Sequence, residues 1–434
     1  MLLIYTPKLT ARLEYAFRLV FHEVLGTDYS VTSDAGSFDR ATGYRLIYDK
    51  EHTGESIRII PCGLKTETGI REQDLNPGTW EDMPVIFSNE NPGIPFDLFA
   101  AVFYLVSRYE EYLPFDPDEH GRFPAGSGIA HKCGMLRLPI VDLWCVRLAQ
   151  TLGIEEECPN IREEHAAFRL TVDIDQPWLY RHKGGLYSAG ALLRDLLTLN
   201  FSGGWERISV LLRMRPDPGD SYDYLLSQQR ELSHPIKFFV LCRGKKEHDK
   251  NRSVGRRGFK TLLRRLDGKG QLGIHPSYAS HTDKRLLKEE IGLLSKILGR
   301  EISTSRQHYL KLRFPETFRE LIYQGITEDY SLGYSTKTGF RSGIARSHNF
   351  YDLGEEKETG LRLTPLIIME RTLKDSLGFG PEEAIEEFRY YNGQIKRVGG
   401  EFVCLWHNDA VSDRGEWRGW RRAFEEMINI QESI

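Results

Sequence analysis

The chain beyond residue 165 alternates apolar stretches typical of β-strands with amphipathic stretches at helical spacing, and this pattern constrains the fold more than any other feature. The repeating unit is roughly 30 residues long, which favours parallel strands joined by crossover helices. The predicted helices are 187–199, 258–266, 284–298 and 315–324. The predicted strands are 168–175, 237–241, 271–275, 303–310, 327–330, 363–369 and 401–407. We therefore predict an α/β fold with a distorted (β/α) barrel of about seven strands.

The first 160 residues have a different pattern and predict a smaller α/β domain. Its predicted helices are 10–24, 97–108 and 140–152, and the first of them stops at Gly26. Its predicted strands are 2–5, 44–48, 57–60 and 85–87. An acidic spacer at 153–164 marks a boundary. We predict an amino-terminal α/β domain of unknown function at 1–160 and the barrel at 161–434.

The composition excludes several classes of protein. The 434 residues are 40% apolar and 28% charged, as in an ordinary globular protein, and the net charge of -4 creates no global field for nucleic acid or an anionic membrane. Six cysteines without a C-x-x-C pair argue against a zinc knuckle or redox motif. The apolar run 98–106 is about half the ~20 residues that a membrane span needs. A signal peptide needs a long apolar stretch near the amino terminus, and Lys8, Arg12 and Glu14 interrupt that stretch here. We therefore expect a cytoplasmic location.

Polar side chains follow the predicted strands at their carboxyl ends, where parallel α/β folds carry their chemistry. Asp173 and Asp175 point the same way because strand side chains alternate, and they suit a metal site or an acid/base pair. The alternative is an aspartate in a turn or helix cap. His275 and His308 end two further strands, with Arg306 beside the second. Two imidazoles and a carboxylate suit zinc, with nickel, cobalt or iron as alternatives.

The last predicted strand ends in L-W-H-N and brings His407 to the same edge, where a protonated imidazole can act as a general acid. Residues near these motifs are candidates for substrate binding, by hydrogen bonding or by aromatic stacking. The alternatives are an acidic strand end in water and packing of loops over the barrel. The candidates are Glu328, Asp329, Tyr330, Arg341 and Trp406.

The ordered motifs T-V-D-I-D-Q-P, G-I-H-P-S, R-Q-H-Y, E-D-Y-S-L-G-Y, G-F-R-S-G and L-W-H-N resemble those of polysaccharide deacetylases, carbohydrate esterase family 4. The resemblance covers about residues 167–420. It is strongest to an uncharacterised bacterial branch in which a domain of unknown function precedes the barrel. The segments R-Y-E-E-Y-L and F-D-P-D-E-H-G-R-F within 108–123 resemble that preceding domain.

The resemblance implies a divalent metal and a set of catalytic roles. Asp173 would be the base and His407 the acid, and Arg306, which matches the family's arginine, would hold Asp173. Asp175 and His275 would be metal ligands. The third ligand differs from the family pattern. In the family, a second histidine follows the first by four positions, and this chain has Ala279 at that position. His281 lies two residues too late, and Ile174 separates two aspartates that are adjacent in the family. We assign the third ligand to His308.

The resemblance implies a metal-dependent hydrolase that removes an acetyl group from a carbohydrate or a glycan precursor, with zinc as the expected metal. Two alternatives stay open. One is a non-catalytic carbohydrate-binding or assembly protein, for which Ala279 is the main evidence. The other is a metal hydrolase of another amide or of a phosphate ester. The basic segment 243–269 could attract a phosphate or uronate, or could be a solvated surface. We expect no nucleic-acid partner.

Overall fold

Two α/β units follow one another along the chain, and a computed structural model describes them over residues 1–244 and 247–432. The first unit contains a parallel sheet in the order β2-β1-β3-β4 and a separate β5-β6 hairpin. Its strands are β1 (Leu2–Tyr5), β2 (Tyr29–Thr32), β3 (Arg45–Tyr48), β4 (Ile57–Ile59), β5 (Gly78–Trp80) and β6 (Met83–Val85). Its helices are α1 (Ala11–Phe17), α2 (Ala35–Arg40), α3 (Leu98–Val106), α4 (Ile129–Lys132) and α5 (Ile140–Leu152).

The longest apolar run of the sequence forms α3, which is buried along its whole length. Asp97 caps this helix by accepting a hydrogen bond from the Ala100 N–H at 3.0 Å. The predicted helix 10–24 is α-helical only to Phe17, after which wider π-helical turns continue over Arg18–Leu25. The predicted strand 85–87 instead ends at Val85, because the backbone of Phe87 turns to a positive φ of 59°.

The second unit contains a nine-stranded sheet in the order β12-β13-β11-β10-β9-β8-β7-β15-β14. Its strands are β7 (Ala167–Ile174), β8 (Lys237–Leu241), β9 (Gln271–His275), β10 (Thr304–Ser305), β11 (Glu328–Leu332), β12 (His348–Asp352), β13 (Lys357–Pro365), β14 (Ile368–Met369) and β15 (Glu401–His407). Its helices are α6 (Gly185–Leu197), α7 (Phe201–Leu211), α8 (Tyr222–Gln228), α9 (Arg257–Asp267), α10 (Lys284–Leu298), α11 (Glu316–Tyr323), α12 (Pro381–Lys396) and α13 (Trp420–Glu432). All neighbouring strands are parallel except β12 and β13.

The nine-stranded sheet curls into an incomplete barrel. In a flat sheet, β8 and β11 would lie about 14 Å apart, because β9 and β10 separate them. Instead, Lys237 of β8 donates hydrogen bonds to Glu328 at 2.9 Å and to the Tyr330 hydroxyl at 2.7 Å, both on β11. The prediction of a distorted barrel behind a smaller α/β unit is therefore confirmed. The sheet has nine strands instead of the predicted seven or so. The prediction missed the antiparallel β12 and did not separate β14 from β13.

Two predicted strands differ from the structure for identifiable reasons. The strand predicted at 303–310 pairs only at Thr304–Ser305, because the Gln307 N–H then donates to the side-chain hydroxyl of Ser331 at 2.8 Å instead of to a main-chain carbonyl of β11. The strand predicted at 363–369 is divided into β13 and β14. The Leu366 N–H donates to the carbonyl oxygen of Leu332 on β11, and the Ile367 N–H donates to the carbonyl oxygen of Val403 on β15. The chain therefore crosses from one side of the barrel to the other between these residues.

Ion pairs join the two units along α1 and the β12-β13 hairpin. Arg12 pairs with Glu356, and Arg18 pairs with Glu358. Each unit has its own buried apolar cluster, although Tyr351 of β12 packs in the cluster of the first unit. Among the described residues, no helix is both long enough and apolar enough to cross a bilayer.

Candidate active site

The carboxyl ends of five strands meet around one cavity of about 340 Å³. Strand β7 contributes Asp173 and the following Asp175, and β9 and β15 end at His275 and His407. His308 follows β10 within a 3₁₀ turn, and Met369 ends β14. These residues all line the cavity, as the positions of parallel strand ends require.

Asp175, His275 and His308 face one another closely enough to share one ion. One possible ligand atom from each lies within 4.8 Å of those of the other two. The Nε2 atom of His275 lies 3.2 Å from Oδ1 of Asp175, and Nε2 of His308 lies 3.4 Å from Oδ2. Both imidazoles are buried, whereas Asp175 is partly exposed towards the cavity.

The hydrogen bonds of the two imidazoles leave their Nε2 atoms directed at Asp175. Nδ1 of His275 donates to the Arg306 carbonyl oxygen at 2.6 Å, and Nδ1 of His308 donates to Oδ1 of Asp249 at 3.1 Å. A proton on each Nδ1 frees the Nε2 lone pair for a metal. Oδ1 of Asp175 is also buried without a hydrogen-bond partner in the described part of the chain. This donor set fits a divalent metal such as zinc.

The charges of the metal-free cluster shift the pKa values of its members. Burial would raise the pKa of Asp175, but His308, His275 and His407 lower it well below its ordinary range. Burial would lower the pKa of His308, but the carboxylates of Asp175 and Asp249 raise it to about 9. Asp175 therefore carries its negative charge at neutral pH, and His308 must release a proton before its Nε2 can bind a metal.

Asp173 is buried beside the cluster and is held by Arg306. The guanidinium donates from NH1 to Oδ1 of Asp173 at 3.0 Å, while Oδ2 lies 3.6 Å from Nε2 of His275. Arg306 is itself fixed, because its Nε donates to the Tyr330 carbonyl at 3.0 Å and its guanidinium lies over the Phe239 ring. One oxygen of Asp173 is thus anchored, and the other faces the site.

His407 also lies close to Asp175. Its Nε2 is 3.7 Å from Oδ2 of Asp175, and its Nδ1 contacts Oε1 of Glu370 at 2.6 Å. Burial would lower the pKa of His407, but Glu370 and Asp175 raise it to about 9. His407 therefore holds a proton at neutral pH, and its Nε2 can donate that proton into the cavity.

Sequence reasoning missed Asp249 and Glu370, which position His308 and His407. Glu370 directly follows β14, so the strand-end rule could have found it if β13 and β14 had been separated. Asp249 lies in the basic segment, away from any strand end, and had no signal in the sequence. It also accepts hydrogen bonds from the N–H groups of Tyr278 at 2.8 Å and Ala279 at 3.3 Å.

The five predicted substrate-binding residues do not line the cavity. Trp406 is fully buried and directs its Nε1 to Met427 of α13 at 3.3 Å, because it alternates with the inward-facing His407 on β15. Arg341 is buried away from the cavity, and its Nε donates to Oε1 of Glu111 at 2.9 Å. We therefore leave these two residues out of the proposed site.

The other three predicted residues lie on β11 and are bound within the barrel. Asp329 accepts hydrogen bonds from the hydroxyls of Ser305 at 2.7 Å and Ser331 at 3.0 Å. Glu328 starts β11 at the opposite end of the barrel from the cavity and pairs there with Lys237, which also contacts the Tyr330 hydroxyl. These contacts hold the sheet together and leave the three side chains outside the cavity.

The amino-terminal unit contributes to the cavity wall through Arg122. Its NH1 donates to the Tyr309 carbonyl at 2.6 Å, and its Nε donates to Asp118 at 2.7 Å. Nearby, Nδ1 of His120 lies 3.3 Å from the Tyr278 hydroxyl. Tyr309 has a positive φ of 62°, a strained conformation that these neighbours stabilise. The cavity is therefore built by both units.

Comparisons with known proteins give one family match and several similar solved structures. Residues 2–156 match a family of unknown function, DUF7033. No curated protein matches the chain.

Among solved structures, a protein from Mycobacterium smegmatis assigned as a polysaccharide deacetylase is 16% identical, with a TM-score of 0.41, covering 62% of this chain and 85% of that one. An allantoinase is 10% identical, with a TM-score of 0.40 and coverage of 62% and 85%. A polysaccharide deacetylase from Bacillus cereus is 12% identical, with a TM-score of 0.28 and coverage of 62% and 87%.

Proposed function

We propose that this chain is a metal-dependent hydrolase that removes an acetyl group from a carbohydrate or a glycan precursor. The observation that supports it most is that two buried pairs, Asp173 with Arg306 and His407 with Glu370, both border the Asp175 cluster. Asp175, His275 and His308 would hold the ion, for which zinc is our expectation. When bound, the metal supplies a Lewis acid that polarises the acetyl carbonyl.

Asp173 is the proposed general base. Its free oxygen faces the cluster, and it accepts a proton from the water that attacks the acetyl carbon. Arg306 orients this carboxylate, because its buried guanidinium donates a hydrogen bond to Oδ1 at 3.0 Å. The water oxygen then becomes part of the released acetate.

His407 is the proposed general acid. Its Nε2 donates a proton to the departing nitrogen or oxygen of the sugar as the bond to the acetyl carbon breaks. Glu370 stabilises the protonated imidazole and fixes the ring through Nδ1. With Asp173 gaining a proton and His407 losing one, the hydrolysis is balanced, and solvent returns both groups to their starting states.

The remaining cavity lining supports a polar ligand such as a sugar. Gln176, Gln307 and Ser335 offer hydrogen-bonding groups, and the Tyr309 side chain offers a ring face. We propose these four residues as substrate contacts in place of the five that the sequence indicated. The complete acid and base pairs argue against a purely non-catalytic role.

The test is the release of acetate by the zinc-loaded full chain from N-acetylated and O-acetylated oligosaccharides, with an aryl phosphate as the alternative substrate. We expect acetate release that Asp173→Asn abolishes. His407→Gln should slow N-acetyl hydrolysis by about 10²-fold or more but slow an activated aryl acetate much less. Turnover of the phosphate without acetate release from any sugar would contradict the proposal and favour a phosphoesterase.

A further inference from the structure

The connection between β7 and β8 exposes an unusual amount of apolar surface. We call residues 185–215, which contain α6 and α7, the α6–α7 hairpin. Of the sixteen exposed large apolar side chains in the described chain, eleven lie in this hairpin. They are Leu186, Tyr187, Leu193, Leu196, Leu197, Leu199, Phe201, Trp205, Leu211, Leu212 and Met214.

The exposed side chains form one stripe on each helix. On α6, Leu186, Leu193 and Leu197 recur at intervals of seven and four, which places them on one side of the helix. The Leu186 side chain is 95% exposed and that of Leu197 is 74% exposed. On α7, Phe201 and Trp205 begin a second stripe, and they are 64% and 56% exposed. Such spacing normally marks the face that a helix buries.

The inner side of the hairpin includes a buried ion pair, while most of its large apolar side chains face outwards, unlike those of an ordinary water-facing helix pair. Asp195 of α6 and Arg207 of α7 are both buried and pair with each other at 2.8 Å. Asp195 lies on the side of α6 opposite the leucine stripe, four positions from the buried Ala191. The hairpin thus buries an ion pair in its interior and exposes leucine, phenylalanine and tryptophan side chains on its outer side.

The same segment is basic although the whole chain is acidic. Within the hairpin there are four Arg residues and two carboxylates, against a net charge of -4 for the whole chain. One of the two carboxylates, Asp195, is buried against Arg207. Arg194, Arg213 and Arg215 are exposed. An exposed apolar stripe flanked by arginines complements a surface that is apolar inside and anionic at its rim.

We propose that the α6–α7 hairpin binds the surface of an anionic lipid bilayer, with both helices lying in the plane of the interface. The helices are 13 and 11 residues long, too short for the ~20 residues of a membrane span, so they lie on the bilayer rather than cross it. A second copy of the chain fits less well, because a two-fold interface brings the same basic surfaces together. This inference is independent of the proposed deacetylase activity.

The experiment is co-sedimentation of the full chain with vesicles of phosphatidylcholine alone and of phosphatidylcholine mixed with phosphatidylglycerol. We expect binding to the anionic vesicles, weakened at least tenfold in the triple variant Leu197→Gln, Phe201→Gln, Trp205→Gln. Removing the charges with Arg194→Gln and Arg213→Gln should lower binding to anionic vesicles and make it less sensitive to salt. All these side chains are exposed, so the variants keep the packed core intact.

A matched control is Ile322→Gln with Tyr323→Gln, which removes exposed apolar side chains of α11 outside the hairpin and should leave vesicle binding unchanged. Light scattering of each protein without lipid measures its oligomeric state. A wild-type chain that binds neither kind of vesicle overturns the proposal. A wild-type dimer that the triple variant turns into a monomer overturns it too, because the stripe would then be covered by a second copy.

Discussion

At the scale of single residues, the site depends on which nitrogen of each histidine is engaged. Main-chain and carboxylate acceptors hold Nδ1 of His275, His308 and His407, so that each Nε2 faces the cavity. The three acceptors differ, and only the carboxylates of Asp249 and Glu370 add negative charge. The two histidines backed by carboxylates are also the two whose pKa values rise to about 9.

The proposed base Asp173 and the proposed metal ligand His275 should fail in different ways when replaced. Asp173→Asn should abolish turnover and leave the metal content unchanged, because Asp173 is proposed as a base. His275→Ala should lose both metal and turnover, because it removes a proposed ligand. Metal analysis of the purified variants beside an acetate-release assay measures both properties. Equal metal loss in the two variants would show that the roles of the β7 aspartates are misassigned.

Glu370 should set the alkaline limit of activity. The acid must be protonated, so the rate falls as pH rises through the pKa of His407, which is about 9. Glu370→Gln removes the carboxylate that raises this pKa, and the alkaline limb of the kcat/KM profile should move to lower pH. The exposed Glu416 serves as a control, and Glu416→Gln should leave the limb in place. An unshifted limb in Glu370→Gln would contradict the acid assignment of His407.

At the scale of elements, the strand-end rule brought four of the proposed site residues to the cavity, and it also shows why Trp406 does not reach it. Asp173, Asp175, His275 and His407 reach the cavity because β7, β9 and β15 have the predicted positions and side chains alternate along them. Trp406 was assigned to the substrate despite that same alternation, which directs it to α13. Such a rule does not predict contacts between residues distant in sequence. Asp249 reaches the site through contacts of that kind, with Tyr278, Ala279 and His308.

The buried charges between the two units should matter for stability. Glu111 pairs with Arg341 at 2.6 Å and with Arg108 at 2.8 Å, and all three side chains are buried. Glu111→Gln would leave two buried guanidiniums poorly compensated, and we expect a loss of about 3–5 kcal/mol in the free energy of unfolding. Chemical denaturation measures this loss. The exposed pair of Glu382 with Arg422 is the control, and Glu382→Gln should cost at most about 1 kcal/mol.

The cluster of Glu111, Arg341 and Arg108 also predicts how the stability of the fold depends on pH. Burial would raise the pKa of Glu111, but Arg341 and Arg108 lower it below its ordinary value of 4.5. The stabilisation is therefore complete above pH 4.5 and is lost as pH falls through the lowered pKa of the folded state. Glu111→Gln should flatten the acid limb of the stability curve. A variant as stable as the wild type at neutral pH would show that this cluster does not hold the units together.

At the scale of the whole molecule, alternation of strands and helices was enough to predict the barrel and its smaller amino-terminal partner. It could not predict β12, which pairs antiparallel with β13, or the step that separates β14 from β13. Nor could it place Arg122 of the first unit in the cavity of the second. These features depend on packing between distant segments, for which a single sequence carries no local pattern.

The central claim is that Asp175, His275 and His308 hold one divalent ion. Anomalous diffraction at the zinc absorption edge, from crystals of the zinc-loaded chain, tests it most directly. We predict one peak about 2.0–2.2 Å from both Nε2 atoms and from a carboxylate oxygen of Asp175. A peak bound to other side chains, or a cavity without zinc at saturating zinc concentration, would contradict the claim.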